Sequence, residues 1–288
     1  MDMIEQWFGQ TYERNMDRVR RFWFGEGRAI ATVSVDDPPY RQCFDDERMI
    51  DSARRQIERL PELPGVNLPT FTADFGTIST AKYFGGRVVP PRHGAMIYIE
   101  PATEALDEAL AIRPAAVDDP RQDAAHGLRL WRRLSDALDT DKLWLRTPDM
   151  QGVLNTAGLI VQQEALLMAM IEQPDAVHRW LDRACGFLVD LARYERERTA
   201  GRVGGNIWPT TFFPADLGIS FTEDMMPLLP PELYAEFGIP QLRRLQGEFG
   251  GLHIHCCGAY GQHVPALVEA DLNIAAIEFH HPHTTLEQ

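Results

Sequence analysis

Apolar positions along this chain alternate between helical spacing and short continuous runs. Residues 174–199 show the most regular helical face, which carries Val177, Leu181, Ala184 and Leu188. The pattern predicts helices over 4–23, 46–60, 103–111, 119–138, 157–172, 174–199, 231–237, 240–249 and 263–270. It predicts strands over 29–35, 68–73, 96–99, 142–145, 252–255 and 274–279. Residues 206–229 are rich in Pro, Thr and Phe and are predicted to be a long irregular loop, which in a compact domain is often functional.

A strand, a helix and a second strand at this spacing form a βαβ unit. Several such units in succession predict a parallel sheet. A sheet in a chain of this length, with interleaved helices, favours closure into a TIM (β/α)8-type barrel that forms a single domain over 1–288. An open, doubly wound sheet is the alternative. The sequence has no Gly-x-Gly-x-x-Gly fingerprint and no Gly-Lys-Ser/Thr loop, so neither dinucleotide nor P-loop chemistry is indicated.

Composition narrows the classes of partner. The chain has 288 residues, 42 acidic against 28 basic, and a formal net charge of −14. This charge argues against a nucleic-acid partner and against an anionic membrane surface. The N-terminus lacks a basic, apolar leader and no window approaches eighteen consecutive apolar residues. We therefore expect a cytoplasmic protein that does not span a membrane.

A histidine and a cysteine provide the clearest candidate chemistry. The four cysteines are too few for a disulfide framework, and two of them, Cys256 and Cys257, directly follow His255 at a predicted strand end. In an extended segment His255 and Cys257 point to the same side, so both could reach one ion. Imidazole nitrogen and thiolate sulfur are ligands that zinc prefers. Cys256 points the other way and is expected to be core.

Glu278 is a candidate third ligand. It lies 21 residues after Cys257, at the end of the next predicted strand. Adjacent parallel strands are about 4.8 Å apart, so their carboxyl ends can share one metal. Three protein ligands and one exchangeable position are the catalytic pattern for zinc. Purely structural roles are the alternative. A buried cysteine is often a small hydrophobic side chain, and His253 could be a strand histidine whose hydrogen bonds are made within the protein.

Two stretches near the C-terminus resemble one family. Residues 255–258 (His-Cys-Cys-Gly), then a helix and the strand to Glu278, look like the C-terminal part of the uroporphyrinogen decarboxylase-like superfamily. Residues 216–218 (Asp-Leu-Gly) and 228–234 look like its Asp-x-Gly and Ser-Pro-Glu-x-Tyr/Phe segments, with Pro230 where serine is usual. Asp74 with 84–86 (Phe-Gly-Gly) resembles an early acidic residue and glycine turn of the same family. The resemblance covers residues 65–280 and implies a TIM barrel.

The family has two functional branches. Its haem-pathway decarboxylases carry an Arg-Gln-Ala-Gly-Arg loop, whereas residues 36–43 here contain one arginine. Its corrinoid-linked methyltransferases hold zinc through His-x-Cys, an acidic residue about twenty positions on, and a later cysteine. His255, Cys257 and Glu278 match the first three, but no cysteine follows Cys257. Either this member lacks the fourth ligand, or the sequence is a piece of a longer chain. The resemblance favours the second, because a full barrel of this family would also need a last strand and helix.

The methyltransferase branch implies zinc-dependent transfer of a methyl group from a methylcorrinoid carried by a partner protein to a small thiol. The pocket residues expected around the zinc are the polar anchors Asp74 and Asp216, the substrate contact His253, and the aromatic wall formed by Trp208, Phe212 and Phe213. A carboxy-lyase acting on a tetrapyrrole or another polycarboxylate is the first alternative, in which Asp74 would stabilise positive charge on a pyrrole. A barrel that binds a corrinoid partner without turnover is the second.

Overall fold

The computed structural model describes residues 3–26, 45–89, 97–209, 211–278 and 283–284. The predicted strand over 29–35 and the single-arginine segment 36–43 lie outside these ranges. The strands are β1 Thr70–Thr72, β2 Arg87–Val89, β3 Tyr98–Glu100, β4 Trp144–Thr147, β5 Val203–Asn206, β6 Ile219–Thr222, β7 Leu252–His255 and β8 Ile274–Ile277. The helices are α1 Met3–Gln6, α2 Tyr12–Trp23, α3 Asp46–Glu58, α4 Ser79–Lys82, α5 Leu106–Ala111, α6 Asp123–Ala137, α7 Val153–Ile160, α8 Gln163–Glu172, α9 Pro174–Arg198, α10 Pro231–Leu233, α11 Ile239–Phe249 and α12 Val264–Glu269.

Parallel strands form the framework, as the βαβ pattern predicts. Strands β1, β4 and β5 make one parallel sheet, strands β6, β7 and β8 make another, and β2 pairs with β3 in an antiparallel hairpin. The predicted α/β class is thus confirmed. Among the described residues, backbone hydrogen bonds join the strands into these separate sheets and not into one continuous eight-stranded ring.

Backbone and side-chain hydrogen bonds connect the two parallel sheets at one edge. A bridge pairs Gln151, in the loop after β4, with Thr222 at the end of β6. Thr222 Oγ1 donates to Asp149 Oδ1 at 3.1 Å across the two sheets, and Asp149 also accepts a hydrogen bond from Asn206 Nδ2, at the end of β5, at 3.0 Å. Because strands within each sheet run parallel, the carboxyl ends of β4, β5, β6 and β7 gather at this edge.

The long helix α9 covers the larger of two hydrophobic cores. Its predicted apolar face is buried, including Val177, Trp180, Leu181 and Ala184 at 0% exposure. The same core contains Phe221 of β6 and Ile254 of β7, which fixes the two strands that carry the site. None of the helices in the described part of the chain combines the length and hydropathy needed to cross a membrane.

Several elements differ from the sequence prediction, and α4 and β2 have no predicted counterpart. The helix predicted over 157–172 is broken into α7 and α8, because Val161 is extended and forms a bridge with Thr103. The segment predicted to be irregular, 206–229, contains β6 and a short 3-10 turn, Met226–Leu228. Strand β5 was not predicted, since its Val-Gly-Gly-Asn sequence is typical of a helix end.

A buried acid on α9 makes stability depend on pH. Burial raises the pKa of Glu195 to about 8, although the nearby Arg196 lowers it in part. Between pH 4.5 and 8 the folded chain keeps a proton that the unfolded chain has lost, so stability falls through that window by roughly 1 kcal/mol per pH unit. We expect Glu195→Gln to raise the melting temperature at pH 8–9 and to change it little at pH 5.

Thermal unfolding across pH 5–9 measures this difference, with Glu197→Gln as the control. Glu197 lies on the same helix and is exposed, so its substitution is expected to shift the whole profile by little. A wild-type minus Glu195→Gln difference that stays constant across the pH range would contradict the assignment of a protonated Glu195.

Candidate metal centre

Hydrogen bonds from two backbone amides connect the residues that follow β6 with the end of β7 and the loop after it. The Glu223 amide donates to the carbonyl of His255 at 2.8 Å. The Cys257 amide donates to Asp224 Oδ1, also at 2.8 Å. His255 ends β7, and Asp224 lies two residues beyond the end of β6. Parallel pairing of the two strands, in which Thr222 faces His255, therefore places Asp224 beside His255 and Cys257.

Three side chains of different chemistry converge at this point. One ligand atom each of Asp224, His255 and Cys257 lies within 4.8 Å of the other two. His255 Nε2 is 3.9 Å from Asp224 Oδ1. His255 is buried, Asp224 is partly exposed and Cys257 is exposed. The group therefore has a protein side and an open side.

Glu278 orients the histidine. Its Oε2 lies 2.5 Å from His255 Nδ1, which leaves Nε2 facing Asp224. Burial lowers the pKa of His255, but the Glu278 hydrogen bond and the charges of Asp224, Glu278 and Asp149 outweigh it and raise the pKa above its usual value. The sequence predicted Glu278 as a ligand. In the structure, the acid in the converging group is Asp224, and Glu278 is the hydrogen-bond partner of the histidine.

The donor set fits a zinc ion. Oxygen, nitrogen and sulfur donors on one face, with a carboxylate holding the other nitrogen of the histidine, are the arrangement found around zinc in proteins. Three protein ligands and an exposed side also leave a position for an exchangeable ligand. Without a cation, burial and the nearby Asp224 raise the pKa of Cys257 to about 11.

Asp149 is a buried acid that links the strand ends behind this group. It accepts hydrogen bonds from Asn206 Nδ2, from Thr222 Oγ1 at 3.1 Å and from Gln151 Nε2 at 2.6 Å. Burial raises the pKa of Asp149 to about 6, and these three hydrogen bonds act in the opposite direction. The sequence offered a signal for it, because Asp149 follows closely after the predicted strand 142–145.

Two further predicted residues lie at the carboxyl edge. The Trp208 ring is 5.7 Å from the His255 ring, centroid to centroid. Trp208 thus forms one wall of the metal group. Asp74 follows β1 and accepts a hydrogen bond from the Gly76 amide at 3.0 Å. Asp74 thus lies at the carboxyl end of a parallel strand in the sheet of β1, β4 and β5, whereas His255 ends a strand of the other parallel sheet.

Asp216 and Phe212 lie elsewhere. Asp216 precedes β6, at the amino end of the strand, and its exposed carboxylate is 3.5 Å from Arg20 Nη2. The structure therefore places it at the opposite end from His255. Phe212 is buried against Trp144, with ring centroids 5.1 Å apart. Phe212 was predicted to line the pocket wall, but the structure places it in the smaller hydrophobic core.

Phe213 and His253 pack together in the interior. Their ring centroids are 4.7 Å apart, and Trp23 lies against both rings. His253 Nδ1 is 3.1 Å from Ser220 Oγ. Burial lowers the pKa of His253 to about 3, so the ring is neutral. Their predicted substrate contacts do not fit this position, because both side chains are buried and His253 is already hydrogen-bonded.

Asp224 and its neighbour Glu223 were missed in the sequence because β6 was missed. The signal is a short β-prone run, Ile-Ser-Phe-Thr, followed at once by two acids. Glu223 is buried, and this burial raises its pKa to about 8. Its Oε1 atom has no hydrogen-bond partner within the described ranges. The end of β6 therefore supplies one acid to the converging group and one to the interior.

Comparisons with known proteins give a structural likeness alone. No protein-family model matches the sequence, and no curated protein matches it. Among solved structures, the fold is similar to that of a methyltransferase from Methanosarcina mazei, with a TM-score of 0.65 and 12% sequence identity. The match covers 91% of this chain and 74% of that chain. At this identity the likeness shows a shared fold.

Proposed function

We propose that this chain is a zinc-dependent methyltransferase that moves a methyl group from a methylcorrinoid protein to a thiol. The observation that carries the proposal is the convergence of Asp224, His255 and Cys257 at the carboxyl edge of parallel strands. The fold supports it, because a solved structure with the same fold is a methyltransferase. In this proposal the ligands are Asp224, His255 and Cys257.

Each residue then has a defined task. Bound zinc supplies Lewis acidity that lowers the pKa of an acceptor thiol. Glu278 holds His255 in the tautomer that presents Nε2. Trp208 limits access of water on one side of the histidine. Asp74 remains a proposed polar anchor at the far sheet.

The transfer balances without an oxidant or a reductant from outside. The thiol releases its proton to solvent, and a sulfur lone pair forms the new bond to the methyl carbon. The bond between that carbon and the donor breaks, and its electron pair stays on the donor. The acids Asp149, Asp224 and Glu278 around the centre give less support to a carboxy-lyase, because a polycarboxylate substrate needs cations to hold it.

Methyl transfer from free methylcobalamin to a thiol tests the proposal with purified, zinc-loaded protein. We expect thioether formation by the wild type and a fall of about 100-fold or more in rate for Asp224→Asn. Asp216→Asn is the matched control, since Asp216 is exposed at the opposite end of β6. Equal loss in both variants, or no thioether from the wild type, would contradict the proposal.

Glu278→Gln tests the task of the second carboxylate. The amide keeps the shape of the side chain but removes the charge that holds His255 Nδ1. We expect zinc affinity to fall by about 10–100-fold, with the fold intact. Competition with a chromogenic chelator gives the affinity, and circular dichroism checks the fold. Glu269→Gln, an exposed change at the end of α12, is expected to leave zinc affinity unchanged; an equal loss there would count against the assigned task.

A further inference from the structure

A cleft opens directly beside the metal ligands. It has a volume of about 290 Å³ and lies between the α7–α8 segment and the loop after β6. Asp224 is part of its wall, so the cleft and the candidate metal centre share that side chain. A ligand in the cleft would therefore lie next to the metal. For this reason the cleft is the candidate site for the substrate of the proposed reaction.

The wall of this cleft is rich in side-chain amides. Gln151, Asn155 and Gln163 line it together with the Thr77 hydroxyl, and we call it the amide cleft. Leu159, Met225 and Leu228 add an apolar surface. A small polar molecule with a short apolar part matches this lining.

Two of the amides are held in fixed positions. Gln151 donates to Asp149 and accepts from Asn155 Nδ2 at 2.7 Å, and Asn155 Oδ1 accepts from the Met225 amide at 2.7 Å. Both side chains are 4% exposed. Each NH₂ group has two hydrogens, and these bonds use one of each. The fixed amides can thus present hydrogen-bonding groups to a ligand at little entropic cost.

Charge restricts the ligand further. Asp224 is the one charged side chain that lines the amide cleft within the described ranges. The two positive charges of a bound zinc would be balanced by Asp224 and the Cys257 thiolate, and Glu278 adds another negative charge. An anionic group in the cleft would then meet repulsion without a lysine or arginine to pair with it. An uncharged polar group meets no such penalty.

We propose that the amide cleft binds the acceptor thiol and selects an uncharged one that carries an amide or hydroxyl group, over a thiol that carries a sulfonate or carboxylate. This inference rests on the proposed function for one point, namely that the sulfur of the thiol binds at the metal. The rest follows from the amides and from the charges around the cleft. The recognised class is thus a short, neutral, hydrogen-bonding thiol.

Two thiols of similar length separate these classes. With the full chain loaded with cobalt(II) in place of zinc, the thiolate-to-cobalt absorption band reports binding of N-acetylcysteamine or of 2-mercaptoethanesulfonate. We expect N-acetylcysteamine to bind at least tenfold more tightly. Equal affinity, or tighter binding of the sulfonate, would overturn the inference.

A charge placed at the rim provides a second measurement. Gln163 is the exposed first residue of α8 and lines the cleft. Gln163→Arg is expected to strengthen 2-mercaptoethanesulfonate binding by about tenfold or more. Gln173→Arg adds the same charge at the exposed far end of α8 and is expected to leave the preference unchanged. An equal effect of both variants would mean that overall charge and not the cleft decides, which would contradict the inference.

Metal-free protein distinguishes failure of this inference from failure of the proposed function. The sulfur-free probes N-ethylacetamide and ethanesulfonate can be compared by NMR. We expect N-ethylacetamide, and not ethanesulfonate, to shift the side-chain amide signals of Gln151 and Asn155. If that holds while no zinc binds, the cleft inference stands and the proposed function falls. If ethanesulfonate shifts those signals and N-ethylacetamide does not, the cleft inference falls.

Discussion

Cys257→Ser is expected to remove zinc from the purified protein. Cys257 supplies the sulfur of the converging group, and a serine hydroxyl is a far poorer zinc ligand at neutral pH. Loss of a direct ligand should exceed the 10–100-fold effect typical of an outer hydrogen-bond partner, so we expect affinity to fall by more than about 100-fold. Elemental analysis after gel filtration measures the content, with close to one zinc per wild-type chain and almost none in the variant.

Cys256→Ala is the matched control for this change. Cys256 is the adjacent residue, and its side chain is buried in the larger core. It is expected to keep full zinc content while losing a little stability. Zinc retained by Cys257→Ser, or lost equally from both variants, would show that the ion is not held by Cys257.

Gly218→Ala is expected to cause a large loss of stability, although Gly218 lies at the amino end of β6, opposite the candidate metal centre. Gly218 precedes β6 with φ of +153°, and a Cβ there would lie 2.0 Å from the carbonyl oxygen of Gly251. Gly251 precedes β7, so relief of the overlap would push apart the two strands that carry Asp224 and His255. We expect a loss of about 3 kcal/mol or more, or failure to fold.

Gly247→Ala is a control of opposite expected sign. Gly247 lies in α11, is exposed, and has no heavy atom within 4 Å of an added Cβ. Alanine is a better helix former there, so we expect a gain of about 0.5–1 kcal/mol. Urea unfolding of the two variants measures both values. A destabilised Gly247→Ala, or a Gly218→Ala that unfolds like the wild type, would contradict the description of the strand ends.

The sequence identified β7 and part of the site for a clear physical reason. The run over 252–255 is short and is followed by a glycine-containing turn, and the i, i+2 spacing places His255 and Cys257 on one side of an extended chain. The structure brings the two together. The strand and the shared side of His255 and Cys257 depend only on local backbone geometry, which the residue spacing predicts.

Contacts between distant segments could not be read in the same way. The Val-Gly-Gly-Asn sequence of β5 indicates a helix end, but Gly204 is needed because the Phe212 ring lies 2.6 Å from where its Cβ would be. Strand β6 was hidden in a segment without clear periodicity, so Asp224 had no predicted position. Glu278 was expected to share a metal with His255 and Cys257, and the structure places its carboxylate at His255 Nδ1. Its hydrogen bond to Nδ1 depends on side-chain geometry that spacing does not determine.

Crystals of the full chain grown with zinc, measured on both sides of the zinc absorption edge, give the most direct test of the account. We expect one strong anomalous peak with ligand atoms of Asp224, His255 and Cys257 about 2.0–2.3 Å away, and with Glu278 bonded to His255 Nδ1 and not to the ion. A peak elsewhere, or a zinc-soaked structure in which these three side chains bind no ion, would contradict it.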